Sequence, residues 1–258
     1  EHAEQLTNQV LAKQPKNSDA LQLLGVINAM RGQAPAAVTL FRKALARDGE
    51  NIELHFNLAK ALCMLDRYKE ALPSYQRAIK LGGGGANMAG IVMEQGTALQ
   101  RLGRHADALA CYDRALAMKP DFAEAWTNKG TLLDELQRHE EAVSCHGRAL
   151  SVNPRLAIAW FNQGVAYRSM QRYGEALSCF DQALAVAPDR AQFWSNRGVI
   201  LDKLQRYDDA LASYEKALSI KPDYAEAWNN RGGTLCGLKR YDEALASHDQ
   251  ALKIKPDY

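Results

Sequence analysis

Residues 157–190 read AIAWFNQGVAYRSMQRYGEALSCFDQALAVAPDR, and this stretch decides the fold. Ala157, Trp160, Gly164 and Tyr167 stand three, four and three residues apart, the spacing of one face of a helix. Ala176, Phe180 and Ala183 mark a second helical stripe. Pro188 punctuates its end, because proline cannot continue a helix. The same marks recur along the chain. Trp126, Trp160, Trp194 and Trp228 are 34 residues apart, as are Gly96, Gly130, Gly164, Gly198 and Gly232. Pro120, Pro154, Pro188, Pro222 and Pro256 keep the same period, and so do Ala108, Ala142, Ala176, Ala210 and Ala244. Residue types that share one period at fixed offsets are the signature of a repeat architecture.

The frame yields repeats at 18–51, 52–85, 89–122, 123–156, 157–190, 191–224 and 225–258, with residues 1–17 as the second half of a truncated repeat. Each is expected to fold as helix, turn, helix. In 123–156 the segment Leu136–Gln137–Arg138–His139 separates the two stripes. Gly130 and Ala142 are expected to be small because the two helices cross closely there, with Trp126 filling the gap toward the neighbouring repeat. Asp121 with Glu124, and Asp223 with Glu226, are spaced as capping boxes. Three extra residues near 82–88, within Leu81-Gly82-Gly83-Gly84-Gly85-Ala86, predict a loosened joint. A phosphate loop is excluded there, since no strand precedes it and no Lys-Ser/Thr follows. Pro73, inside the second helix of the same repeat, is expected to kink it.

On Trp160, Gly164, Tyr167, Ala176, Phe180, Ala183 and Pro188, the chain resembles the tetratricopeptide repeat (TPR) family, and the likeness extends over essentially its whole length. It departs at Lys129, Gln163, Arg197 and Arg231, where leucine is usual, and at His146 and His248, where an aromatic is usual. These changes are expected to alter what the surface presents, with the two histidines as packed side chains. The resemblance implies an all-α, right-handed superhelical α-solenoid of antiparallel helix pairs whose first helices line a concave groove. Extended concave surfaces of this kind bind other polypeptides.

Composition excludes several function classes. Lys and Arg number 32 against 30 Asp and Glu, a net charge of +2, which is no footprint for nucleic acid. No run of 18 apolar residues suggests a membrane span. The five cysteines form no C-x-x-C pair and fit a reduced, cytoplasmic setting. Cys111, Cys145 and Cys179 share one repeat position, but repeats about 10 Å apart cannot bring three thiols within the roughly 2.3 Å of a zinc–sulfur bond. They are read as small core residues, as Ser213 and Ser247 are in the same slot. No catalytic constellation or cofactor motif stands out, so no enzyme activity, metal or cofactor is expected of this segment.

Taking positions one, four, eight and eleven as the buried stripe of each first helix leaves two, five, six, nine, twelve and thirteen facing the groove. Position six holds Asn57, Asn128, Asn162, Asn196 and Asn230. Asparagine is a mediocre helix former, but its amide both donates and accepts and so suits a peptide main chain. At about 10 Å per repeat and about 3.4 Å per extended residue, one Asn serves roughly three peptide residues. Passive duplication, or a role in helix stacking, is the competing account. Phe56, Lys60, Met93, Asp134, Phe161, Arg168, Ser195, Asp202 and Asn229 are further inner-face candidates. On these positions eight acids face four bases, which favours a neutral or basic extended partner segment and argues against nucleic acid. The chaperone-tail clamp of some relatives needs cations in the groove, and only Lys60 stands at such a slot as one. The asparagine ladder is similar to that of O-linked N-acetylglucosamine transferases, which implies an alternative role as the substrate-recruiting arm of a larger bacterial glycosyltransferase of that or the SPINDLY-like kind. The chain opens on Glu1 with half a repeat and stops at Tyr258 without a polar capping helix, so a slice of a longer protein, able to self-associate end to end, is expected.

Overall fold

In the computed structural model, residues 2–83 and 88–257 are described, and all of their regular structure is helical. Helix α1 (His2–Lys13) precedes seven pairs: α2 (Ser18–Met30) with α3 (Ala34–Leu45), α4 (Ile52–Cys63) with α5 (Tyr68–Leu81), α6 (Ala89–Arg101) with α7 (His105–Met118), α8 (Ala123–Glu135) with α9 (His139–Val152), α10 (Ala157–Ser169) with α11 (Tyr173–Val186), α12 (Ala191–Lys203) with α13 (Tyr207–Ile220), and α14 (Ala225–Gly237) with α15 (Tyr241–Ile254). The chain divides into two compact units, residues 1–128 and 129–258, with the boundary inside α8.

Apart from α4 with α5, each pair closes on an aromatic ring seated over a residue that lacks a side chain. A Cβ on Gly164 would stand 2.8 Å from the Phe180 ring; on Gly198, 2.6 Å from Tyr214; on Gly130, 2.7 Å from His146; on Gly232, 2.7 Å from His248. The first unit repeats this with Gly25 under Phe41 and Gly96 under Tyr112. The expected close crossing is therefore a ring–glycine contact, with Ala142, Ala176 and Ala210 fully buried beside it.

The turn inside each pair has one solution. Its middle residue takes a left-handed conformation: Gly32, Asp66, Gly103, Gln137, Gln171, Gln205 and Lys239, with φ between 56° and 75°. The next residue's N–H then reaches back to a carbonyl five residues earlier, as Arg172 does to Tyr167 at 2.9 Å and Arg206 to Leu201 at 2.8 Å. This is the wrap that satisfies orphan carbonyls at a helix C-terminus. The same arginines pair with an acid three residues on, as in Arg138–Glu141 and Arg240–Glu243. Those pairs are solvated and contribute little.

Tryptophan and proline share a period because they are bonded. The indole N–H of Trp126, Trp160, Trp194 and Trp228 donates to the carbonyl of Pro120, Pro154, Pro188 and Pro222, at 2.8 to 2.9 Å. His55 does the same toward Gly49 at 3.0 Å. The residue before each proline is extended, for example Asn153 at φ −133° and ψ 90°, which ends the helix. Stacking of neighbours buries the rest. Leu218, packed with Ala227 of α14, is 8 % exposed, whereas Leu252, at the same position of the last described pair, is 45 % exposed. Burying such a leucine is worth about 2 kcal/mol.

Two expectations need correction. The N-cap of α14 is Tyr224 and bears no side-chain cap bond, so Asp223 stands outside the helix and forms no capping box with Glu226. Side-chain caps occur instead at Asn17 and Asn51, which accept from Ala20 N–H and Leu54 N–H. The buried stripe is also wider than positions one, four, eight and eleven. Ala125, Ala159, Phe193 and Ala227 at position three, and Leu132, Ala166 and Ile200 at position ten, are buried, while the tryptophans are only half-buried. A helix inside an array touches its partner and both neighbours, so it buries two stripes. Helix α5 continues through Pro73 to Leu81. Of the predicted joint at 82–88, residues 84–87 lie outside the described residues; Gly82 packs under Met88 and Gly83 has φ 67°.

Gly164→Ala should lower stability by about 1–3 kcal/mol, because the added methyl overpacks the Phe180 ring. Gly174→Ala, on the adjacent helix with open space at its Cβ, should instead raise it by about 0.5–1 kcal/mol. Urea denaturation of the two variants reads both signs, and equal effects would exclude the ring–glycine contact as the cause.

Candidate functional site

The first helices carry the polar residues that recur across repeats, and their side chains divide into two groups. Position seven turns back onto the second helices. Gln163 donates to the Val143 carbonyl at 3.2 Å and accepts from the Cys179 thiol at 3.5 Å. Arg197 donates to Asp181 and Ser213, and Arg231 to Ser247. In the first unit Gln95 accepts from Cys111. At Gln163, Arg197 and Arg231 the departure from leucine therefore ties helices together instead of changing the exposed surface. The position-seven residues also match the slot opposite: the thiols of Cys111 and Cys179 face glutamine, and the hydroxyls of Ser213 and Ser247 face arginine. Burial pushes the Cys179 thiol up to about 11.

The other group meets around a cavity of about 300 Å³ in the second unit. Thr131, Asp134 and Glu135 enter from α8, His146 from α9, Phe161, Asn162, Val165 and Arg168 from α10, Gln192 and Asn196 from α12, with Tyr224 and Glu226 at the start of α14. Five residues singled out in the sequence thus share one site: Asp134, Phe161, Asn162, Arg168 and Asn196. Their states differ. Asn162 Nδ2 donates to Thr131 Oγ1 at 3.0 Å. Asn196 is 8 % exposed and spent at both ends, donating to the Gln192 carbonyl at 3.0 Å and accepting from Arg168 at 2.6 Å. Asp134 is held by His139 Nδ1 at 2.6 Å. Phe161, expected on the groove surface, is 6 % exposed and stacks on Phe193 with ring centroids 4.6 Å apart. Ser195, from the same position, is also buried. Position five faces the core because α10 and α12 approach one another there.

The remaining candidates lie elsewhere. Asp202 accepts from Thr234 Oγ1 at 2.7 Å, which links α12 to α14. Asn230 is half-buried on α14. In the first unit Lys60 sits over the Phe56 ring, 5.4 Å from its centroid, next to Asn57, whose Nδ2 is buried without a partner. Asn128 is half-buried near the end of that unit. Thr131, Gln192 and Tyr224 had no signal in the sequence beyond their helical register.

His146 is the unusual member. Its ring is shut off from solvent, and neither nitrogen has a hydrogen-bond partner among the described residues. Burial lowers its pKa from 6.5 to about 4, so it is neutral at pH 7. His248, its counterpart, meets Asn229 Oδ1 at 3.1 Å.

Paired helices recurring in a 34-residue frame, all but α4 with α5 closed on a ring–glycine contact, define an all-α helical-repeat array. The chain belongs to the tetratricopeptide repeat family. Matches to that family cover residues 3–52, 93–145 and 161–225, with further repeat types at 28–89, 121–189 and 225–258. It is 37 % identical over 89 residues to human tetratricopeptide repeat protein 28, and 27 % identical over 135 residues to a DnaJ homolog subfamily C member 7 homolog of Schizosaccharomyces pombe. Those stretches are 34 % and 47 % of this chain but only 4 % and 28 % of the relatives' lengths. Among solved structures, a tetratricopeptide repeat protein from Parabacteroides merdae superposes with a TM-score of 0.70 at 20 % identity, covering 92 % of this chain and 93 % of the other. A chain of the APC/C hetero-tetramer Cut9-Hcn1 gives 0.72 at 16 % identity, covering 99 % and 50 %. At such identities the likeness is one of fold. The repeat matches run from residue 3 to residue 258, so this segment is a protein-interaction scaffold and not a catalytic fold. No helix among the described residues is long and apolar enough to cross a membrane.

His146→Phe places in this pair the ring that its neighbour already uses over Gly164. Removing two orphaned polar atoms should stabilise the fold by about 1 kcal/mol at pH 7. The unfolded state takes up a proton below pH 6.5 that the folded state refuses until about pH 4. The wild-type chain should therefore lose roughly 2 kcal/mol more than the variant between pH 7 and pH 4.5. Parallel stability curves for the two proteins over that range would contradict a buried neutral imidazole.

Proposed function

We propose that the chain binds extended polypeptide segments along the face made by its first helices. One observation carries this: side chains from α8, α10 and α12 and the start of α14 converge on a single cavity lined by hydrogen-bonding groups. Within it Asn162 gives its amide nitrogen to Thr131, which leaves its carbonyl oxygen for a main-chain N–H. Asn196 acts one step removed, holding Arg168 in place. The ladder at position six thus combines direct contact with positioning. Its spacing, one Asn for roughly three extended residues at about 3.4 Å each, matches a segment that runs across the repeats. Carboxylates outnumber cations on this face, so neutral or basic segments are favoured over acidic ones.

Replacing Asn128, Asn162, Asn196 and Asn230 together by Ala should leave the far-UV circular dichroism unchanged, since Ala is the better helix former. Binding to an immobilised array of overlapping peptides should drop at least about tenfold, the equivalent of roughly 1.4 kcal/mol. Retention of the wild-type binding pattern by the folded variant would refute the role of the ladder.

A further inference from the structure

A second cavity of the second unit, about 680 Å³ in volume, opens at the start of α12. Its apolar wall is formed by Ala157 and Ile158 of α10, Ala187, Phe193 of α12 and Ile220 of α13. Ile158 and Ile220 are 45 % and 41 % exposed. No asparagine of position six lines it.

The array shows what belongs in this place. The last residue of each repeat stands just before the next first helix. Asn17 and Asn51 use that position to cap the helix. Phe122, Leu156 and Tyr224 use it to bury an apolar side chain, and each is half-buried. Tyr224 packs on the cluster of Ala191, Ala217, Leu218 and Ala227. One repeat earlier, the counterparts of Ala191 and Ala227 are Ala157 and Phe193, and both line the cavity. The residue in Tyr224's place is Arg190, which is exposed and makes no cap bond. A second member is missing with it. Lys221 lies over the Tyr224 ring at 5.3 Å and Lys119 over the Phe122 ring at 5.0 Å, but Ala187 stands where the lysine would be. The cavity is therefore the space of an absent ring-and-cation pair. Phe193 stands where α10 and α14 have Ala159 and Ala227, but its ring stacks on Phe161 at 4.6 Å and forms the wall.

We propose that this cavity receives one aromatic side chain of a partner polypeptide, seated as Tyr224 is seated one repeat on, with an acidic residue of the same partner beside Arg190. Charge complementarity supplies the second half of this assignment. Arg190 and Lys221 face Asp189 alone among the lining residues, and the Arg190 guanidinium has no hydrogen bond or ion pair among the described residues. A ring suits the wall because aromatic pairs gain beyond the area they bury. A basic side chain would add a third cation. The site goes beyond the groove reading and does not depend on it.

Capped dipeptides test it by NMR on the ¹⁵N-labelled 258-residue chain. Nα-acetyl-Phe-Glu methylamide should shift the amide resonances of Ala187, Ala191 and Gln192, which line the cavity. Nα-acetyl-Ala-Glu methylamide should bind at least about tenfold more weakly, because the buried ring is lost. Nα-acetyl-Phe-Lys methylamide should bind several fold more weakly. Arg190→Tyr restores the ring of the following repeat, and Arg190→Leu the side chain that Leu156 supplies in the preceding one. Both should abolish the shifts while circular dichroism stays unchanged. Equal affinity for the Phe-Glu and Ala-Glu probes overturns the proposal, and so do shifts that persist in both filled variants. In the variant with Asn128, Asn162, Asn196 and Asn230 replaced by Ala the shifts should remain; their loss there assigns the probe to the ladder and removes the separate site. Peptide-array binding that survives in that variant refutes the ladder and leaves this site standing.

Discussion

The structure depends on a ring held against a missing side chain. At the crossing of each helix pair, apart from α4 and α5, a glycine backbone lies under Phe41, Tyr112, His146, Phe180, Tyr214 or His248 at a distance that no Cβ could share. Ala59 with Tyr75 serves in the remaining pair, both fully buried. Close approach of this kind lets side chains interlock at crystal-like density. It also sets the angle at which the two helices leave the turn, and so where every other side chain of the repeat must go. Because only ring shape is demanded, the chemistry of the ring's far end is free to vary. Phe180 packs on Phe161, Tyr112 donates to Gln100 at 2.9 Å, and His146 ends in two nitrogens without partners. Variation at a core position is thereby passed to the site.

Between repeats the ties are polar but secondary. Each indole-to-proline bond, and each contact from position seven to the preceding repeat, such as Gln163 to Val143 and Arg197 to Asp181, is worth about 1 kcal/mol. The larger contribution is apolar burial of one repeat's stripe by the next, as the contrast between Leu218 and Leu252 shows. An array of this sort is stabilised neighbour by neighbour. The polar ties fix which registers are allowed, since an indole N–H or a guanidinium finds its acceptor in only one.

Much of the architecture is legible from spacing alone. Trp160, Gly164, Ala176 and Pro188 identify two helices and a stop, and their recurrence identifies the array. The candidate site is only partly legible. Asp134, Asn162, Arg168 and Asn196 were identifiable because they repeat or carry charge, and they do share a cavity. Thr131, Gln192 and Tyr224 were not, because nothing in their type or spacing separates them from solvated surface. Phe161 and Ser195 fall in the core because a helix with neighbours on three sides buries two stripes, and a single periodicity describes one. Asp223 and Glu226 have the spacing of a capping box, but helix α14 starts two residues after Asp223, and a cap displaced by one residue points its oxygen away from the free N–H groups.

The sequence by itself determined the repeat, its period and its helical class, since those follow from local rules: which residues tolerate a helix, which stop it, and which are small. Tertiary structure alone decided what the recurring polar residues do. Position seven could face water or a neighbour, and it faces a neighbour. Asn196 could meet a ligand, and it holds Arg168. His146 could pair as His248 does with Asn229, yet it stands unpaired in the wall of a cavity. The reason is range. A helix's own geometry is set within four residues, whereas these partners stand sixteen or more positions away, as Ser213 does from Arg197 and Asn196 from Arg168.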